Sequence, residues 1–291
     1  MEFPDDDRLP FFAYGIFCKG EFGILRIREF LAGPPEPAWG NGLIYVRDGL
    51  PLLKLKQDCE CRGEVLRFRP GTAARAYSKI IELELDTQYQ WGIADVRNAA
   101  RENLRCNALM GLKPEQGSVL ADDDWSSKSD PLFKEALDIV RRILEQYGGD
   151  ASPSHETLLQ IHMAYLLLWT SIERYASLRY SLGPDVIKKL QLVATEAAFG
   201  RTLNTEVRQP RKVFRADRPE DSQTLDTNKP KKSILYYYQV RCNASHRGKG
   251  APTRDFEILS ASLRELFAIF EAVLADAWAD ASASVGGAGQ F

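Results

Sequence analysis

The pattern of hydrophobic and polar residues changes near residue 125. Before that point, short apolar runs alternate with turns that contain Gly or Pro, which is typical of β-strands with one or two helices between them. The expected strands are residues 11–14, 42–46, 52–55, 63–68, 80–85 and 91–96.

After residue 125, apolar residues recur at helical spacing. Asp130 and Pro131 favour a helix start, because an Asp side chain accepts free amide hydrogens and Pro fits the first turn. The expected helices are residues 131–148, 154–182, 185–199, 233–243 and 254–277. The long, charged segment 204–232 is predicted to be an irregular or mobile loop.

The two patterns together predict an α+β protein, and the length and composition allow two ordinary domains. The 291 residues are 44% hydrophobic and 27% charged, which is enough for two separate cores. We expect a strand-rich domain at 10–120, a polar linker at 121–131, a helical domain at 132–278 and a disordered, low-complexity tail at 279–291. The net charge is −2, so any nucleic-acid contact must come from a local patch.

The five cysteines are odd in number and scattered, which favours a reducing compartment over a disulfide framework. Cys59 and Cys61 form a C-x-C, but no second Cys or His pair follows at zinc-ligand spacing, so neither a metal nor another cofactor is predicted. The first residues are acidic and do not resemble a signal segment. The longest apolar run, 164–169, is too short for a bilayer. A cytoplasmic protein without membrane contact is expected.

Two segments of the N-terminal half carry candidate chemistry. Gly15 and Gly20 allow main-chain N–H groups to approach a ligand closely; the alternative is a tight turn without a ligand. Glu82 and Glu84 share one face if the chain is extended there. Each is either a general base or a solvated strand carboxylate.

These segments, F-A-Y-G-I-F-C-K-G at 12–20 and I-E-L-E-L-D-T-Q-Y-Q-W at 81–91, resemble γ-glutamylcyclotransferase-like (AIG2-like) domains. The resemblance covers roughly residues 10 to 120 and implies a small mixed β-barrel. It also implies that a Glu moves the proton as an amine attacks an amide carbonyl; Glu84 is the preferred equivalent and Glu82 the rival. The residues implied to hold a γ-glutamyl-like ligand are Tyr14, Gly15, Ile16, Phe17, Gly20 and Tyr89.

The C-terminal half contains an Arg and a His separated by four residues, Arg241 and His246. A guanidinium binds phosphate and an imidazole moves protons near neutral pH, which together suit metal-free RNA cleavage. Residues five apart on a helix differ by about 140°, so the two share a face only if the helix breaks. Asn243, Gly248 and Gly250 favour such a break. The alternative is a pair of structural or solvated side chains.

The motif and its flanking helices resemble the HEPN domains over roughly residues 132 to 278. The resemblance implies an all-α bundle, a homodimer and a metal-independent ribonuclease, in which His246 transfers the proton and Arg241 binds the phosphate. It adds Asn243 as an orienting residue and Glu173 as a polar residue directed toward the motif, unless Glu173 is merely a solvated helix charge. A run of basic residues near the motif is either an RNA-binding surface or simply a solvated, charged loop. The expected RNA-binding residues are Arg211, Lys212, Arg215, Lys231, Lys232, Arg247 and Lys249.

Three hypotheses remain at this stage. The first is a HEPN-type endoribonuclease with a ligand-sensing or regulatory barrel domain, suited to stress response, toxin or phage-defence roles. The second is a γ-glutamyl amide cyclotransferase that uses Glu84 and dimerises through its helical domain. The third is a non-catalytic module that binds RNA or a nucleotide.

Overall fold

The computed structural model describes residues 1–121, 124–147, 154–181, 183–247 and 253–283, without the side chains of residues 246, 247 and 253–255. The chain divides into two units by its internal contacts. The barrel unit consists of Met1–Asp130, Leu178–Gly183 and Ala277–Phe291. The helical unit consists of Pro131–Ser177 and Pro184–Asp276.

The barrel unit is built on an eight-stranded sheet with the order β1-β5-β2-β6-β7-β4-β3-β8. Its strands are β1 (Phe11–Ala13), β2 (Glu36–Asn41), β3 (Leu43–Arg47), β4 (Leu50–Lys54), β5 (Glu60–Leu66), β6 (Tyr89–Asn98), β7 (Asn103–Gly111) and β8 (Ser118–Val119). A parallel pairing of Phe11 with Asn107 joins β1 to β7 and closes the first five strands of that order into a barrel. The expected α+β class and small N-terminal barrel are therefore confirmed.

The barrel interior is filled by apolar side chains from every strand of the closed ring. Phe12 on β1, Ala38 on β2, Val65 on β5, Val96 on β6 and Ala108 on β7 are all buried together. Along β5, buried and more exposed residues alternate, as the two-residue period of a strand requires. This rigid core supports the loop that follows β1.

The expected strand at 80–85 is wrong, because these residues end a helix. The helices α1 (Ile24–Ile27) and α2 (Ala73–Leu83) lie entirely within this unit. The buried residues of α2, Ala76, Tyr77, Ile80 and Leu83, recur at helical spacing and outweigh the local I-E-L-E-L alternation. Strands β2, β7 and β8 were not expected, because β2 contains Pro37 and Gly40 and β7 contains several polar residues.

The helical unit confirms the helical character of the C-terminal half. Its helices are α3 (Glu135–Tyr147), α4 (His155–Tyr180), α5 (Val186–Val193), α6 (Ala197–Glu206), α7 (Pro230–Arg247) and α8 (Thr253–Ser282), of which α4 and α8 end within the barrel unit. Fully buried aromatic side chains, among them Trp169, Tyr175, Tyr237 and Phe270, form its core. No helix within the described ranges is both long and apolar enough to span a membrane.

Several details differ from the expected helical layout. The first helix was expected to start at Asp130 and Pro131, but α3 begins at Glu135, after a turn. The helix expected at 185–199 is divided into α5 and α6. The segment 204–232 contains a β-hairpin, formed by β9 (Arg211–Phe214) and β10 (Ser222–Leu225), where an irregular loop was expected. Residues 279–282 continue α8 where a disordered tail was expected, and residues 284–291 lie outside the described residues.

Candidate functional site

The loop after β1 presents main-chain amides that have no hydrogen-bond partner within the described residues. Two hydrogen bonds curl it: the Cys18 amide donates to the Gly15 carbonyl at 2.9 Å, and the Gly23 amide donates to the Ile16 carbonyl at 2.8 Å. The amides of Gly15, Ile16 and Phe17 donate to no other group in the described parts of the chain. Such neighbouring amides form a concave donor site suited to a carboxylate or a developing oxyanion.

Tyr14 and Gly15 fix the start of this loop. The buried Tyr14 hydroxyl donates to the Leu109 carbonyl and accepts from the Leu53 amide at 3.3 Å. Burial raises the pKa of Tyr14 far above its usual value, so the residue is a neutral anchor. A Cβ atom on Gly15 would lie 2.4 Å from Cγ of Pro51, so the close approach of β4 requires glycine here.

Glu84 follows the last turn of α2 and directs a buried carboxyl toward this loop. Its amide donates to the Ile80 carbonyl at 3.1 Å, and the residue is only 7% exposed. Among the described residues its Oε2 atom has no hydrogen-bond partner. Burial raises the pKa of Glu84 to about 8. A carboxyl with this pKa exchanges a proton readily near neutral pH.

Glu82, the rival residue, lies elsewhere. Its carboxylate is about half exposed and binds Lys79 at 2.7 Å and Arg26 at 3.7 Å. The expectation that both carboxyls share one strand face is wrong, because the helix ends between them and the backbone at Glu84 is extended. The structure therefore brings only Glu84 to the loop.

A small cavity lies between the loop and Glu84. Its volume is about 20 Å³, enough for about one water molecule. The lining residues are Phe11, Ala13, Tyr14, Gly15, Ile16, Phe17, Pro51, Glu84, Tyr89 and Leu109. Five of the six expected ligand-binding residues are thus together. Gly20 is not among them; it has a φ of +92° and its amide donates to the Ala281 carbonyl at 3.0 Å.

Sequence reasoning missed Arg47, which holds the connection between Glu84 and Tyr89. Its Nη1 donates to the Leu112 carbonyl at 2.8 Å, and its Nη2 donates to the side chain of Gln88. No local pattern marks an Arg on one strand as the support of a loop far along the chain. Pro51, which closes the cavity over Gly15, was missed for the same reason.

In the helical unit, Arg241 and Glu173 lie together. The Nη2 atom of Arg241, on α7, lies 3.7 Å from Oε1 of Glu173, on α4, and both side chains are about one-third exposed or less. The guanidinium also lies 5.6 Å from the ring centroid of Tyr238. These contacts fix a cation at a partly buried position.

The expected helix break between Arg241 and His246 is absent from the described backbone, because α7 continues through Arg247. The side chains of His246 and Arg247, and the whole of Lys249, lie outside the described residues. Continuous helix therefore places the two backbone positions of the motif on different faces.

The side-chain amide of Asn243 forms hydrogen bonds with the β9–β10 hairpin through both its oxygen and its nitrogen. Its Oδ1 accepts from the Ala216 amide at 3.1 Å and from Gln239 at 3.0 Å, and its Nδ2 donates to the Phe214 carbonyl at 2.8 Å. Because the residue is only 7% exposed, these bonds account for its polar groups. They connect α7 to β9 and to the residues after it.

The expected RNA-binding residues differ in their surroundings. Arg211 is partly buried and paired with Glu265, and Arg215 binds Asp217 at 2.8 Å. The other three described ones, Lys212, Lys231 and Lys232, are exposed. A cavity of about 600 Å³ adjoins this region. Its lining residues are Ile187, Arg215, Ala216, Asp217, Gln223, Leu235, Tyr238, Gln239, Cys242 and Asn243.

Within the described residues, no group of three or more His, Cys, Asp and Glu side chains is placed to hold a metal ion. Models of known protein families give no match to the chain, and neither do curated proteins or solved structures. The geometry of the two sites is therefore the basis for assigning a function.

Proposed function

We propose that the barrel unit is an enzyme that releases 5-oxoproline from γ-glutamyl amides and uses Glu84 for proton transfer. One observation carries the proposal: the buried Glu84 carboxyl, with Oε2 unpartnered among the described residues, faces the free amides of Gly15, Ile16 and Phe17 across one cavity. A general base and a set of oxyanion donors are the two groups that amide cyclisation needs.

In this reaction the α-amino nitrogen of the substrate attacks the γ-carbonyl carbon, and a C–N bond closes the five-membered lactam. The Glu84 carboxylate removes a proton from the attacking nitrogen. The original amide C–N bond then breaks, and Glu84 returns the proton to the leaving amine. The loop amides stabilise the negative charge on the carbonyl oxygen between these two steps.

The size of the cavity imposes a condition on substrate binding. A space of about 20 Å³ does not contain a γ-glutamyl group, so the lining must move apart when substrate binds. Phe17 lies on the loop itself and packs edge-on against Phe11 at 5.7 Å between ring centroids. Rotation of the Phe17 ring is the smallest movement that enlarges the space without breaking a strand.

The test is release of 5-oxoproline by the purified protein in EDTA, from γ-glutamyl amides of small, acidic and basic amines. Because the base form of Glu84 is required, kcat is expected to rise with pH and to level off above about 8, the pKa of the buried carboxyl. Absence of release from every amide, or a rate independent of pH between about 6 and 9, would contradict the proposal.

A second candidate function is metal-independent RNA cleavage by the helical unit, with the barrel unit sensing a ligand. The Arg241 guanidinium favours it, because the residue is held by Glu173 and Tyr238, and Tyr238 also lines the cavity of about 600 Å³. In this candidate, Arg241 binds the scissile phosphate while His246 moves the proton of the attacking 2′-hydroxyl. Two copies of the chain would combine their motifs in a homodimer.

Cleavage of total cellular RNA in EDTA tests the second candidate. Arg241→Ala and His246→Ala are each expected to lower the cleavage rate about a hundredfold, because each removes a charge or proton-transfer group from the transition state. His155→Ala, at an exposed histidine at the start of α4, is the matched control and should retain full activity. Cleavage that survives both motif substitutions would come from a contaminant and would remove this candidate.

A further inference from the structure

The last turns of α8 bind the loop that carries the free amides. The stacked rings of Trp278 and Phe22 lie 5.7 Å apart between centroids. The Gly20 amide donates to the Ala281 carbonyl at 3.0 Å, and Arg28 donates to the Asp280 carbonyl at 3.2 Å. All of these residues belong to the barrel unit.

The linker supports the same loop from a second direction. Glu21 is buried and accepts from the Ser126 hydroxyl at 2.7 Å and from the Ser127 amide at 3.0 Å. The Trp278 indole N–H in turn donates to the Ser127 hydroxyl at 3.4 Å. Trp278 therefore contacts both the loop and the linker residue to which Glu21 is bound.

We infer that Trp278 is a positioning residue for the Glu84 site, which acts through its stack on Phe22 to hold the amides of Gly15, Ile16 and Phe17 in place. The inference rests on the proposed function of the barrel unit. Between these amides and Phe22 lie only a few residues of one loop, and its two ends are fixed by Tyr14 and by the α8 contacts. Without the indole, the loop keeps its sequence but loses the ring stack on Phe22 at its second end.

Cys18 supplies a readout of loop order that does not depend on activity. It lies within the loop, and its amide donates to the Gly15 carbonyl. Burial raises the pKa of the Cys18 thiol well above its usual value, so the closed loop disfavours the reactive thiolate. Cys18 is already partly exposed in the closed loop, and opening of the loop exposes the thiol further and increases its rate of alkylation.

The experiment compares wild type with Trp278→Ala by iodoacetamide labelling, with Cys18 quantified by peptide mass spectrometry, and by 5-oxoproline release. Trp278→Ala is expected to raise the Cys18 alkylation rate at least about tenfold, through more frequent local opening. It is also expected to lower kcat at least about tenfold and to leave KM within about threefold, since the loop amides stabilise the oxyanion that forms during the reaction.

Matched variants separate positioning from general destabilisation. Trp278→Phe keeps a stacked ring and should restore most of the wild-type kcat. Leu266→Ala removes a buried side chain of α8 in the helical unit and should leave the Cys18 rate unchanged. If Trp278→Ala does not fold, Trp278→Leu retains apolar bulk without an aromatic ring and takes its place in both assays.

An unchanged Cys18 rate in the folded Trp278 variants would overturn the inference, and so would an equal rise in Leu266→Ala. Failure of the wild-type protein to release 5-oxoproline is a different result. It would remove the proposed reaction, while the Cys18 rates would still decide whether Trp278 holds the loop.

Discussion

Replacement of Glu84 by glutamine is expected to lower kcat for 5-oxoproline release about a thousandfold, within the range found when a general base is removed. Glutamine keeps nearly the same shape and still lines the cavity, but it cannot accept a proton. The loop amides remain, so binding of the γ-glutamyl group should change much less than kcat. Steady-state kinetics at pH values on both sides of 8 measures the two effects separately.

Glu82→Gln is the matched control, because it makes the same chemical change two positions away. Its side chain is about half exposed and binds Lys79 and Arg26 on the surface. Exposed ion pairs contribute little to stability, so this variant should keep the wild-type rate and pH profile. If Glu82→Gln lost activity while Glu84→Gln kept it, the assignment of the base would be reversed.

For the candidate site of the barrel unit, the sequence indicated which residues to consider better than it indicated their arrangement in space. The Gly-containing loop after β1 and a Glu shortly before Tyr89 were both recognised from their motifs. The choice between Glu82 and Glu84 was not settled, because I-E-L-E-L alternates as a strand does. Only the burial of Tyr77 and Ile80 against the barrel makes α2 a helix, and tertiary packing of this kind is not visible in a short window.

The supports of the loop could not be predicted, because they come from distant parts of the chain. Gly20 was expected to bind a ligand, yet its amide binds the Ala281 carbonyl in a segment that was expected to be disordered. Small residues after Trp278 suggested a low-complexity tail. Their contacts with Gly20 and Arg28 show why the helix continues to Ser282.

In the helical unit, the sequence predicted elements more reliably than side-chain roles. Long amphipathic patterns predicted α4 and α8. The resemblance to HEPN domains implied that Glu173 projects toward the motif, and in the structure its Oε1 atom lies 3.7 Å from Nη2 of Arg241. The hairpin was missed because β9 and β10 have four residues each, and most of their side chains are charged, as in β9, or polar, as in β10. Their attachment to α7 depends in part on Asn243, whose hydrogen bonds cannot be read from its position in a motif.

Glu84 is also expected to affect the free energy of unfolding. Its carboxyl is buried, and Oε2 has no hydrogen-bond partner among the described residues, so ionisation of this group destabilises the folded state. Its pKa is about 8 in the folded protein, against 4.5 for an ordinary Glu. The folded state therefore holds this proton more tightly than the unfolded state. As a result, the free energy of unfolding falls as pH rises from 4.5 to about 8. Above a pH of about 8, Glu84 causes no further decrease.

Glu84→Gln is accordingly expected to be more stable than wild type at neutral pH, despite its much lower expected kcat. Each pH unit across the window costs about 1.4 kcal/mol, so the difference should be near zero at pH 4 and about 3 kcal/mol at pH 7. Urea unfolding at a series of pH values measures it, with Glu82→Gln following wild type throughout. A constant difference between wild type and Glu84→Gln from pH 4 to pH 9 would show that Glu84 keeps an ordinary pKa and would remove the physical basis for its role as a base near neutral pH.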